Sequence, residues 1–164
     1  MNSPGLQAGA FHEFNIVGLS VNECRNGLKE GSMTRRTKAF EIFYDELRSI
    51  VILRLRGCWD RNVGEQFERE FQDMLKAIHA NGKEWYLLLD LTGKLPESQD
   101  MQHIVGRAIV SAKTEGMKNK AVLAKRFMPL FQAMKGSQDA HLHVDFYFQS
   151  EAEAIRWLLH EAPI

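Results

Sequence analysis

The chain has 164 residues, room for one domain and an appendage, and 45 % of them are hydrophobic, well above a disordered composition. Lys plus Arg and Asp plus Glu both number 21, so the formal charge is zero and the basic surface of a nucleic-acid binder is missing as a bulk property; no nucleic-acid partner is expected. Cys24 and Cys58 form no CxxC and cannot supply a four-ligand zinc site, and no apolar run approaches the ~20 residues that span a bilayer. With no signal-like start either, the expectation is a cytoplasmic protein with free thiols and no transmembrane segment.

Residues 1–37 read as a poorly structured N-terminal extension. Asn, Ser and Gly recur there, and the apolar stretch 11–21, which could add an edge strand, keeps neither period. Met33 before Thr34, Arg35 and Arg36 resembles an alternative start, which would make residues 1–32 an upstream extension. The α/β domain is then 38–164.

Phe40, Ile42 and Tyr44 alternate with Glu41 and Asp45, and after Leu47, Arg48 and Ser49 comes the run Ile50, Val51, Ile52, Leu53, Arg54, Leu55, which together predict a β-hairpin. Asp60 or Asn62 caps the next helix, whose Val63, Phe67, Phe71, Met74, Leu75 and Ile78 recur at spacings of three and four; Asn81 and Gly82 end it. The run from Trp85 to Leu91 is short and nearly all apolar, as in a strand buried on both faces. A second helix follows Ser98 with an apolar stripe of Met101, Ile104, Val105, Ala108, Ile109 and Ala112, and Gly116 closes it. A strand over 120–124, a brief helix over 129–134, a strand over 143–148 and a helix over 151–160 complete the chain, the last opened by a capping box of Ser150 and Glu153.

The order β-β-α-β-α-β-α-β-α predicts an α/β fold with a mixed sheet of four or five strands and helices mainly on one face. From residue 40 onward, about three quarters of the chain, this order resembles the STAS fold of bacterial anti-sigma factor antagonists and sulfate-transporter tails. The residues that carry the likeness are Phe127, Met128, Pro129, Leu130 and Phe131 through Gly136, then Val144 to Phe148, then Ser150, Glu151, Ala152, Glu153, Ala154 and Ile155. Trp85 before the central strand, with Trp157 and Leu158 in the last helix, resembles the subgroup related to Sec14 lipid-binding domains.

The resemblance implies a non-enzymatic regulatory module without a cofactor, whose partner is a regulatory kinase, a sigma-factor regulator or a second copy in a homodimer. It also implies a phosphorylatable serine in a D-S-x-G-L-like pattern, which here reads Glu97, Ser98, Gln99, Asp100, Met101. Glu97 and Asp100 replace the Asp and Gly, and both carboxylates would repel a phosphate; an N-cap is the plainer role for Ser98.

Asp90, Thr92 and Lys94 end the central strand, where open α/β sheets bind ligands, although turn chemistry beside Gly93 explains them as well. His141 and His143 share a strand face with Asp139 or Asp145 nearby, fewer ligands than a metal site needs, and none is expected. Basic clusters at Arg35, Arg36 and Lys38, and at Lys118, Lys120, Lys125 and Arg126, could meet phosphates or anionic lipid, although solvated surface is the usual explanation and the neutral total agrees with it. No GxGxxG, GxxxxGK[ST] or GxSxG motif occurs, and no catalytic residue is assigned.

Two functions follow. The chain docks on a protein through Ser98, Glu97 and Asp100, or it binds a small apolar ligand such as a lipid against Phe127, Phe131, Phe146 and Phe148. A deep cavity under the helix at 129–134 would favour the ligand; an exposed apolar patch near Ser98 over a filled core would favour docking.

Overall fold

The structure is a computed structural model and describes residues 32–125, 129, 132, 144–147 and 150–160. Its order is β1 (Ser32–Arg36), β2 (Phe40–Asp45), β3 (Ile50–Gly57), α1 (Arg61–His79), β4 (Trp85–Lys94), α2 (Gln99–Thr114), β5 (Met117–Leu123), β6 (Val144–Tyr147) and α3 (Glu151–His160). Pro129 and Gln132 are also in helical conformation. The six strands lie in sequence order across one mixed sheet. β1 to β3 pair antiparallel, and β3 to β6 pair parallel.

The α/β class and mixed sheet agree with the sequence reading, and the strand number exceeds it by one. The extra strand is β1, inside the stretch 1–37 that reads as an extension. Its residues Ser, Met, Thr, Arg, Arg show no alternation because an edge strand buries little; Met33 packs against the core.

The hairpin between β2 and β3 turns at Ser49, whose φ of 55° is left-handed. The parallel strands are laid down in one direction across the sheet. Right-handed crossovers therefore bring α1 and α2 to the same face. There Phe67, Phe71, Leu75 and Ile78 of α1 and Ile104, Ala108 and Ile109 of α2 meet Leu53, Leu87 and Leu89. On the other face, Ala154, Trp157 and Leu158 of α3 cover Ile50, Ile52, Leu88, Ala121 and Leu123. The unbroken leucines of β4 are thus explained by cover on both sides.

Caps set the helix ends. Asp60 accepts a hydrogen bond from Val63 N at 2.9 Å, Ser98 from Met101 N at 3.4 Å and Ser150 from Glu153 N at 3.2 Å. Trp85 is fully buried and donates its indole N–H to Glu115 O at 2.9 Å, beside Gly116, whose φ is +91°.

One irregularity matters for the site. Arg54 faces Asp90, but Arg56 faces Gly93, so β4 holds one residue more than β3 over this span. Such a bulge reverses the alternation of side chains beyond it. Lys94, which would otherwise share a face with Asp90 and Thr92, turns to the α1–α2 side.

Candidate functional site

A cavity of about 620 Å³ runs alongside α2. Leu55, Leu89 and Leu91 of the sheet and Val105, Ile109 and Val110 of α2 give it apolar walls. Pro129 and Gln132 line it as well, so it lies where the brief helix over 129–134 is expected. Gly106, in the middle of α2, also lines it, and a Cβ built there would meet no atom within 4 Å.

At the carboxyl end of β4 the cavity is closed by charge. Lys94 and Glu97 form an ion pair with side chains only 4 % and 5 % exposed. The Lys94 ammonium donates to Gly57 O at 3.0 Å and sits 4.0 Å from the centre of the Trp59 ring. Burial pushes Lys94 down to about 7, with a smaller pull toward the charged form from Cys58. Glu97 also receives the Trp59 backbone N–H at 3.4 Å. Its own backbone is bound in both directions by the Gln132 amide, N–H to Oε1 at 3.4 Å and Nε2 to carbonyl at 3.3 Å. The loop before α2 is therefore pinned from three sides.

Lys120, on β5, also lines the cavity, and it is 1 % exposed. It stands opposite Leu87 and alternates with Val122, which puts it on the α1–α2 face. Burial alone pushes it down to about 8. Among the described residues no hydrogen-bond or ion-pair partner meets its ammonium. The expectation of a solvated cluster at Lys118 and Lys120 is thus corrected. Lys118 does reach out, to Glu84 at 2.6 Å, but β5 holds one residue more than β4 between Met117 and Lys120, and this bulge turns Lys120 to the α1–α2 face.

The three polar residues expected at the strand end do not meet. β4 continues to Lys94, so Asp90 and Thr92 lie within the strand. Asp90 Oδ1 accepts from Thr92 N at 2.8 Å and Thr92 Oγ1 at 2.7 Å, a local turn-type contact. Its other oxygen is 3.9 Å from Arg54, which binds Glu151 at 2.8 and 3.0 Å and Glu41 at 3.4 Å. This network ties β2, β3 and β4 to the start of α3.

The triplet expected at the docking surface also divides. Ser98 is exposed and caps α2; Asp100 is exposed and lies 3.5 Å from Arg61. Glu97 turns inward to Lys94. Leu95 is the exposed large apolar side chain nearest Ser98, at 37 % exposure. Phe127, Phe131 and Phe148 lie outside the described residues, as do Cys24, Asp139, His141, His143 and the stretch 11–21; of Phe146 only the strand backbone is described. Among the described residues no three His, Cys, Asp or Glu are grouped to hold a metal, Cys58 is a free exposed thiol, and no helix is long and apolar enough to cross a membrane.

Sequence reading placed Lys120 in a surface cluster and gave no site role to Arg54 or Trp59. The first two carried a signal, a charge set beside or inside an apolar strand run. Gly106 carried another, a glycine inside a strong helical pattern.

No family model matches the chain, and no curated protein matches it. Among solved structures, the crystal structure of an anti-sigma factor antagonist from Mycobacterium paratuberculosis superposes with a TM-score of 0.46 at 11 % identity, over 77 % of this chain and 92 % of that one. A likeness of that size concerns the arrangement of strands and helices and extends neither to the Sec14-like subgroup nor to a partner.

Proposed function

We propose that this chain is a non-enzymatic binding module that takes a small, largely apolar molecule into the cavity alongside α2. The cavity itself carries the reading. At about 620 Å³, with leucine, valine and isoleucine walls interspersed with polar side chains such as Gln72, Gln102 and Ser111, it falls in the range of ~300–1,000 Å³ common for ligand pockets. Gly106 supports it. A glycine inside a helix costs about 1 kcal/mol relative to alanine, and here no neighbour requires its absent side chain.

The test is native mass spectrometry of the protein purified from its own cells, beside a Gly106→Phe variant whose ring would fill the space. A retained small molecule on the parent protein, lost from a folded Gly106→Phe, is the expected result. Equal retention by both would put the ligand elsewhere, and a bare parent protein that takes up no apolar probe would end the reading.

A second reading, docking of a regulatory protein at residues 95–100, is favoured by one observation. Ser98, Gln99 and Asp100 are exposed at the start of α2, directly after a loop that the Lys94–Glu97 pair and Gln132 hold in place. If a partner kinase acts there, the peptide holding Ser98 carries the added mass of one phosphate in protein from its own cells. An unmodified peptide from cells in every growth state would remove the phosphoswitch.

A further inference from the structure

Lys120 is a buried cation without a counter-ion among the described residues, and it lines the cavity alongside α2. Taking an ammonium out of water costs several kcal/mol unless a partner or hydrogen bonds compensate. A lysine can often escape by extending its head to the surface, but Lys120 is 1 % exposed. The other charged groups around the cavity are already matched. Arg107 holds Glu68 at 2.9 and 3.0 Å, and Lys94 is held by Glu97 and Gly57 O. An anion entering the cavity would therefore find one unmatched charge, and that charge is on Lys120.

We propose that the ligand of this cavity is an amphipathic monocarboxylate, its carboxylate on the Lys120 ammonium and its hydrocarbon tail along the wall of Leu55, Leu89, Leu91 and Ile109. The assignment rests on the reading of the cavity as a ligand site and adds the class of ligand. One unmatched cation suits a single negative charge. A phosphate, with more charge and more acceptor oxygens, would need further donors and would feel the carboxylates of Glu68 and Glu97 that also line the space. Burial strengthens the Coulomb attraction between the two charges, which offsets the cost of taking the carboxylate out of water.

The experiment is calorimetric titration of the full chain with dodecanoate, dodecanol and dodecyl phosphate, repeated on Lys120→Met. The expected result is that the parent protein prefers dodecanoate to dodecanol by about 10- to 100-fold, the scale of a charge-assisted hydrogen bond. Lys120→Met should lose that preference while still taking dodecanol. Binding of none of the three would sink the cavity reading and this assignment with it. Equal binding of acid and alcohol by both proteins would keep the cavity and overturn the carboxylate, and so would a preference for the phosphate. If Lys120→Met does not fold, the carboxyl carbon resonance of labelled dodecanoate on the parent protein decides. An ion-paired carboxyl titrates below its value in water, and one that titrates above it overturns the proposal.

Discussion

Lys94 and Lys120 face one cavity, yet only Lys94 has its charge answered by the protein. Glu97→Gln removes that answer and leaves a buried ammonium beside Trp59, which should cost about 3–5 kcal/mol in urea unfolding at neutral pH. Lys94→Met combined with Glu97→Leu removes both charges and should recover most of the loss. A Glu97→Gln loss near zero would mean that the pair contributes nothing. Lys120 gives a prediction in pH. Its folded value, about 8, is below the ordinary 10.5, so between these limits the folded chain has released a proton that the unfolded chain keeps. Stability therefore rises with pH across that window, and the full penalty is present below pH 8. The difference between the parent protein and Lys120→Met isolates Lys120, and it should shrink by up to about 3 kcal/mol from pH 7 to 10. A difference constant with pH would show that Lys120 is solvated.

At the scale of elements, two glycines in facing helices serve opposite ends. A Cβ at Gly64 of α1 would lie 2.8 Å from Met101 Sδ and 3.2 Å from Ile104 Cδ1, so this glycine lets α2 approach. Gly106 of α2 has open space where its Cβ would be. Gly64→Val should therefore destabilise by about 1–3 kcal/mol, the usual cost of overpacking, whereas Gly106→Ala should stabilise by about 1 kcal/mol through helix propensity. Chemical denaturation of the two variants checks the pair. The same sign for both would show that propensity, and not the contact between α1 and α2, governs these positions.

The molecule as a whole is a sheet covered on both faces, with α3 on the side away from α1 and α2 and fastened there through Arg54 and Glu151. Its first edge is β1, so the point of truncation should decide the outcome. Removing residues 1–31 should leave the unfolding free energy of the domain nearly unchanged. Removing 1–36 also strips five cross-strand pairs from β2 and uncovers part of the core beside Met33, for a loss of about 1–3 kcal/mol. Urea midpoints of the two truncated chains test this; an equal loss in both would mean that residues before Ser32 contribute to the fold.

Much of the architecture was legible because it is local. The caps at Asp60, Ser98 and Ser150 each need a partner three residues away, α1 declares itself by its period, and the leucines of β4 require cover on two sides wherever the strand lies. The site was not legible in the same way. Its geometry depends on one extra residue in β4 relative to β3, which turns Lys94 away from Asp90 and toward Glu97, and on one extra residue in β5 relative to β4, which turns Lys120 inward while Lys118 stays outside. The sequence by itself determined which segments become strands and helices and which of their faces are apolar. Only the tertiary structure decided which charges are buried and whether they are matched, because register and cover join residues far apart in the chain and no local pattern encodes them.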